Sequence, residues 1–136
     1  MSTLSTEQRR ILQTMQIMAV VEEWGLRASE VIDLLALEGV SGRHLEKFRR
    51  GNAAFPVTPA TDERMQHVLG IADALRTTYP HNRKMGSIWM LSRQKKLNDT
   101  IPLQRIAEEG LQGLIAVRAH LDCTYAWDQS GSSSSQ

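Results

Sequence analysis

The spacing of apolar residues restricts most of this 136-residue chain to helical structure. Apolar side chains recur three or four positions apart, and no stretch shows the alternation of apolar and polar residues that a half-buried strand requires. Glycine and proline separate these segments, as they do at helix ends. We therefore predict an all-α fold, with helices over Thr6–Trp24, Ala28–Leu37, Gly42–Arg50, Pro59–Thr77, Arg83–Arg93, Pro102–Glu108 and Gln112–Asp122.

The composition is ordinary for a water-soluble globular protein, with 41% hydrophobic and 23% charged residues. The longest unbroken apolar run is Ile17–Val21, far below the roughly 20 residues that a membrane span needs. The N-terminal segment has no basic stretch before a long apolar core, so we expect no secretory signal. Cys123 is the single cysteine and has no partner for an internal disulfide. We therefore expect a cytoplasmic protein without membrane contact.

Residues 28–50 fit the template of a helix-turn-helix DNA-binding motif. Two short helices flank a turn that contains Gly39, a residue that adopts the left-handed conformation without steric cost. On the second helix, Leu45 and Phe48 are three positions apart and face inward, while Ser41 caps its start. The outward side chains are mostly basic, and basic side chains contact phosphates and guanine edges. The predicted DNA-binding residues are Ser41, Arg43, His44, Lys47 and Arg50.

Positive charge is concentrated in two blocks, although the formal net charge is only +1. Residues 41–50 contain four basic residues and one acidic residue, and residues 79–96 contain five basic residues and no acidic one. Such blocks favour contact with anions at defined places over a diffuse basic character. A solvated basic face remains the alternative for both blocks, and an ordinary helical hairpin remains the alternative for residues 28–50.

The candidates for catalysis and metal binding are few. His120 and Cys123 are three positions apart, but His44, His67 and His81 are scattered, and a metal site needs three or four ligands. The sequence offers no motif that would activate Cys123 as a nucleophile, and it contains no glycine-rich phosphate-binding loop. We therefore predict a protein that is not an enzyme and that needs no cofactor or metal.

A denser signature lies between residues 63 and 122. It consists of the segments Glu63-Arg64-Met65, Leu69-Gly70-Ile71-Ala72-Asp73-Ala74-Leu75, Tyr79-Pro80, Trp89, Leu97-Asn98-Asp99-Thr100-Ile101-Pro102-Leu103 and Gly110–Asp122. In its order and spacing, this signature resembles the Xre/MbcA/ParS antitoxin family over residues 22–127. The chain departs from the family's pattern at Asn98-Asp99, where the family often has glycine. Asn and Asp tolerate left-handed turns, so this change is mild.

The resemblance implies an Xre-like helix-turn-helix domain over residues 1–58, packed with a toxin-binding and dimerisation domain over residues 59–128. It also implies a type II antitoxin that blocks the active site of a RES-type or ParT-type toxin. Such a toxin is an NAD-consuming or an ADP-ribosylating enzyme. The partners would be that toxin, operator DNA repressed by the complex, and further copies of the chain in a homodimer or higher oligomer. The implied toxin-binding residues are Trp89, Leu97, Pro102, Arg118, Tyr125 and Trp127. The serine-rich residues 129–136 cannot pack a core, so we expect them to be disordered.

Two other functions stay open at this point. The chain is a stand-alone helix-turn-helix transcriptional regulator if its C-terminal half only dimerises. It is a purely protein-binding antitoxin if its helix-turn-helix no longer binds DNA.

Overall fold

The computed structural model describes residues 3–130, with residues 124–130 described as helical backbone only. Every regular element in this range is a helix, which confirms the predicted all-α class; Gln94 and Thr100 form an isolated β-bridge. The chain divides into two compact units, Met1–Gln66 and His67–Gln136, so the boundary falls at residue 66, whereas the predicted domain boundary is at residue 58. The α-helices are α1 (Thr6–Glu23), α2 (Ala28–Leu34), α3 (Leu45–Arg49), α4 (Pro59–Thr78), α5 (Arg83–Met90), α6 (Pro102–Glu109) and α7 (Leu111–Ser130).

Helix α1 turns a different face inward from the one that apolar spacing alone predicts. That spacing favours a buried stripe of Ile11, Met15, Met18 and Ala19, whereas the buried residues are Thr14, Ile17, Met18 and Val21. The hydroxyl oxygen of Thr14 accepts a hydrogen bond from the backbone N–H of Phe55 at 3.0 Å. Burial of a polar group that has a hydrogen-bond partner costs little free energy. Thr14 can therefore lie in the core, and α1 is oriented with Thr14 facing inward.

Helix α2 ends at Leu34, three residues before its predicted end. The hydroxyl of Thr61, in the first turn of α4, donates to the carbonyl oxygens of Leu35 and Ala36 at 2.9 and 3.1 Å. Ala36 takes a left-handed conformation with φ 55°, which stops the helix there. Gly39 follows with φ 73°, as predicted for the turn.

Arg10 holds the connector between α3 and α4 in place. Its Nε donates to the carbonyl oxygen of Phe55 at 2.9 Å, and its Nη2 donates to that of Pro56 at 2.7 Å. The same Nη2 lies 2.8 Å from Asp62 Oδ1, and the Arg10 side chain is only 15% exposed. One guanidinium therefore joins α1, the connector and the first turn of α4.

We expect Arg10→Met to lower the free energy of unfolding by about 2 kcal/mol. Methionine keeps an apolar stem, but two carbonyl oxygens and one carboxylate lose a charged donor. Urea unfolding followed by far-UV circular dichroism measures the difference. The control is Arg9→Met, at an exposed neighbouring position, for which we expect a change below about 0.5 kcal/mol. Equal stabilities of the Arg10 and Arg9 variants would contradict this role.

In the second unit, α6 packs along α7. Pro102 is the first residue of α6, as the sequence predicts, and the core at this contact includes the fully buried Ile106, Leu114 and Val117. The backbones of the two helices lie close together at Gly113. A Cβ atom at Gly113 would lie 2.8 Å from the carbonyl carbon of Arg105 and 2.9 Å from Ile106 Cα.

The loop before α6 and the end of α7 complete the second unit. Asn98 and Asp99 both adopt left-handed conformations, with φ 59° and 58°, as expected of residues that stand in for glycine. Helix α7 continues to Ser130 rather than ending at Asp122, because no glycine or proline interrupts residues 123–130. The first two residues of the predicted disordered tail are thus helical, and residues 131–136 lie outside the described residues. Within residues 3–130, none of the helices has the length and apolar character that a membrane crossing requires.

Candidate nucleic-acid interface

The segment predicted as one recognition helix is two short helical pieces. Gly42–His44 forms a 3₁₀ turn, and α3 follows directly. Ser41 occupies the predicted N-cap position, and its backbone N–H donates to Nδ1 of His44 at 3.0 Å. An Nδ1 that accepts a hydrogen bond carries no proton, so in the neutral imidazole the proton is on Nε2, which remains a donor for an outside acceptor.

The inner face of α3 is anchored by aromatic packing. Leu45 and Phe48 are each 3% exposed, which confirms their predicted inward orientation. The Phe48 ring meets the Phe55 ring edge to face, with 5.0 Å between centroids. The Met15 side chain packs against Gly51, which follows α3. A Cβ atom at Gly51 would lie 2.6 Å from the sulfur of Met15. Helix α3 is therefore held on α1 in one orientation.

The outer face of α3 carries three exposed cationic side chains. Lys47 lies on α3, Arg43 lies in the preceding 3₁₀ turn and Arg50 is the C-cap of α3. All three are exposed, and their i, i+4 and i+7 spacing is that of residues on one side of a continuous helix. Within residues 3–130, neither Arg43 nor Lys47 has an ion-pair partner. Arg50 Nε lies 2.7 Å from Glu46 Oε2, so part of its charge is compensated.

Arg49 belongs to the basic block in sequence but not to the exposed cationic face. Its guanidinium donates to the carboxylates of Glu22, on α1, and Glu46. These hydrogen bonds, that to Glu22 above all, raise the pKa of Arg49. Arg49 therefore ties α3 to α1 and contributes little net charge. Glu22 lies 27 positions earlier in the chain, and no local sequence signal indicates this pairing.

The structure places the predicted toxin-binding residues in two different environments. Leu97 is 5% exposed and Pro102 is buried, so these two side chains serve the packing of the second unit. Trp89 is half-buried, and its ring stacks on that of His120 with 5.8 Å between centroids. Arg118 is also half-buried. The side chains of Tyr125 and Trp127 lie outside those that the structure describes, so their role stays a prediction.

Arg118 lies in a polar pocket of the second unit. Its guanidinium covers the backbone of Gly70, while its Nε lies 3.7 Å from Asp122 Oδ2 and its Nη1 is 3.4 Å from His67 Nδ1. The pocket is lined by Gly70, Asp73, Ala74, Thr77, Arg118 and Asp122. Because the lining carries charges of both signs, the pocket selects neither anions nor cations.

One surface of the second unit was not predicted as a functional feature. Ile88 and Leu91 are apolar residues of the fifth predicted helix. Their side chains are not buried but 53% and 57% exposed. Met90 and Gly86 are the buried positions of α5. The three-residue spacing of Met85, Ile88 and Leu91 indicates a shared helix face, but the exposure of that face is seen only in the tertiary structure.

No family model matches the chain, and no curated protein does. In the part of the chain that the structure describes, no three His, Cys, Asp or Glu side chains are grouped so that they could hold a metal ion.

Proposed function

We propose that the first unit binds operator DNA through the outer face of α3, and that the chain is a type II antitoxin that represses its own operon. The observation that carries the DNA-binding part is the exposed set Arg43, Lys47 and Arg50 on a helix whose other face is fixed. A rigid cationic face retains its geometry on binding, so little conformational freedom is lost.

The dimensions of this face suit a groove of duplex DNA. A helix with its side chains is about 10–12 Å in diameter, and the major groove is about 12 Å wide, so the helical segment 42–49 can enter it. Arg43, near the start of the segment, can donate two hydrogen bonds to a guanine edge, whereas Lys47 and Arg50 suit phosphates. Ser41 and His44 lie at the same end and offer further donors.

For the second unit, we propose neutralisation of a RES-type or ParT-type toxin in the cytoplasm, with the chain acting as a homodimer or higher oligomer. The support is the resemblance of residues 63–122 to the Xre/MbcA/ParS antitoxin family. Of the predicted toxin-binding residues whose side chains the structure describes, Trp89 and Arg118 are the two that retain exposed surface. Tryptophan and arginine are also the residue types most common among interface hot spots.

Two assays test the two parts of this proposal separately. Operator binding is measured by fluorescence anisotropy with the DNA upstream of the gene, against a scrambled duplex of equal length. Toxin neutralisation is measured by growth of cells that express the neighbouring gene with and without this chain. Operator binding without rescue would make the chain a stand-alone regulator, rescue without operator binding would make it a purely protein-binding antitoxin, and failure of both would reject the proposal.

Substitution of one acidic residue near the cationic face should increase the affinity for DNA. We expect Glu46→Gln to tighten DNA binding by a few-fold, because the substitution frees Arg50 and removes a negative charge from the phosphate-facing side. Arg49 keeps its pairing with Glu22, so α3 stays anchored. The matched control is Glu109→Gln, which removes an acid from an i,i+4 pair with Arg105 on α6 and should leave affinity unchanged. Weaker binding by the Glu46 variant in the anisotropy assay would contradict the proposed face.

A further inference from the structure

Helix α5 exposes an apolar face that nothing in the described chain covers. Met85, Ile88 and Leu91 are 38%, 53% and 57% exposed and follow one another at three-residue intervals. The opposite side of α5 is packed, since Met90 is fully buried and a Cβ atom at Gly86 would lie 3.4 Å from that of Leu75. We call Met85, Ile88 and Leu91, together with Lys84, the α5 surface.

Cations adjoin this apolar face. Lys84 precedes Ile88 by four positions and Leu91 by seven, so it shares their side of the helix. Lys95 and Lys96 follow in a 3₁₀ turn, and within residues 3–130 none of these three lysines has an ion-pair partner. No acidic residue occurs between positions 79 and 96, so nothing in this stretch neutralises them.

Trp89 extends the same region toward α7. Its ring stacks on His120, and burial, with a contribution from Lys96, lowers the pKa of His120. The lowered pKa favours the neutral form of the imidazole in this stack, and Lys96 is close enough to His120 to contribute to the shift. An aromatic residue beside exposed aliphatic side chains is a common composition for the centre of a protein-binding surface, and charged side chains are more typical of its rim.

We propose that the α5 surface binds a protein partner that presents apolar side chains bordered by carboxylates. The inference rests on the proposed antitoxin function only for the identity of this partner, which would be the toxin. The apolar residues supply the buried centre of the contact, and the lysines select a partner of opposite charge and speed its approach.

The charges and the shape of the surface disfavour the other occupants. A second copy joined about a two-fold axis would place lysines against lysines, which is repulsive. DNA would bring charged phosphates onto Ile88 and Leu91, which offer them no hydrogen bonds. A membrane is disfavoured because α5 has eight residues and one packed side, so only three apolar side chains are available to enter lipid.

The test uses the full chain and a fluorescent helical peptide with leucine on one face and glutamate on the other. We expect anisotropy to detect binding of this peptide, and no binding of the same peptide with lysine in place of glutamate. The double variant Ile88→Ser/Leu91→Ser should weaken binding at least about tenfold, because most of the buried apolar area is lost. Lys95→Glu/Lys96→Glu should weaken it similarly, and these exposed positions leave the core intact.

Val57→Ser provides the matched control, because the Val57 side chain is apolar and 75% exposed but belongs to the first unit. The Val57→Ser variant should bind the peptide as tightly as the unaltered chain does. Equal binding of the acidic and basic peptides would overturn the inference. Two other results would also overturn it. One is binding to phosphatidylglycerol vesicles in place of the acidic peptide, and the other is self-association that the Ile88/Leu91 variant abolishes.

Neutralisation assays in parallel separate this inference from the proposed function. If the Ile88/Leu91 variant no longer binds the peptide but still rescues cells, the identification of the toxin as the partner of the α5 surface fails, while the antitoxin function stands. If the unaltered chain binds the peptide but does not rescue cells, the antitoxin function fails while the surface stands.

Discussion

The combined substitution Arg43→Ala, Lys47→Ala and Arg50→Ala is expected to weaken operator binding by about 100-fold or more at moderate salt. Each substitution removes a cation that binds DNA, and such an interaction is worth about 1–3 kcal/mol at a base edge and less at a phosphate. For every phosphate that is no longer neutralised, the slope of log affinity against log salt should fall by about 0.9. Anisotropy titrations at several salt concentrations measure both quantities.

The control replaces three exposed arginines elsewhere, Arg9→Ala, Arg27→Ala and Arg76→Ala. It removes the same number of positive charges, so it separates a local cationic face from the overall charge. We expect this control to retain most of the affinity and the full salt slope. If the two triple variants lose affinity equally, the outer face of α3 does not bind the DNA. Toxin neutralisation by the α3 variant should be unaffected, which also shows that it folds.

Gly113→Ala is expected to lower the free energy of unfolding by about 2 kcal/mol. The new methyl group would meet backbone atoms of Arg105 and Ile106 on α6, and backbone atoms within a helix cannot move aside alone. The helices must separate, and overpacking of this kind costs about 1–3 kcal/mol or more. Higher helix propensity of alanine offsets up to about 1 kcal/mol. Urea unfolding monitored by far-UV circular dichroism measures the net loss.

Gly70→Ala is the matched control in the same unit. Its Cβ atom would lie 2.5 Å from the guanidinium of Arg118, which is the far end of a flexible side chain and can rotate away. Alanine also favours the middle of α4 over glycine, so we expect stability within about 1 kcal/mol of the unaltered chain. If both alanine variants were equally stable, close packing of α6 on α7 at Gly113 would not be a determinant of the fold.

Local information accounts for most of the helices and for the side chains that face outward on α3. The starts of α1, α2, α4, α5 and α6 follow from apolar spacing and from residues such as Pro102. The inward Leu45 and Phe48 follow from the same spacing. The left-handed Gly39, Asn98 and Asp99 follow from residue type. Each of these signals acts within about one or two helical turns, which is the range over which a sequence pattern carries structural information.

Tertiary contacts decided the rest. The hydroxyl of Thr61 binds the carbonyl oxygens at the end of α2, 25–26 positions earlier in the chain. Thr14 is buried with a hydrogen bond from Phe55, 41 positions later. The ion pair with Glu22 compensates the charge of Arg49, which therefore does not belong to the cationic face. The same holds for α5, where packing against other parts of the second unit buried Met90 and left Ile88 and Leu91 exposed. The sequence by itself thus determined the helices and the cations available to them. Hydrogen bonds and ion pairs between distant positions leave no periodic trace in a sequence, so the tertiary structure alone decided which polar groups are buried and which charges remain free.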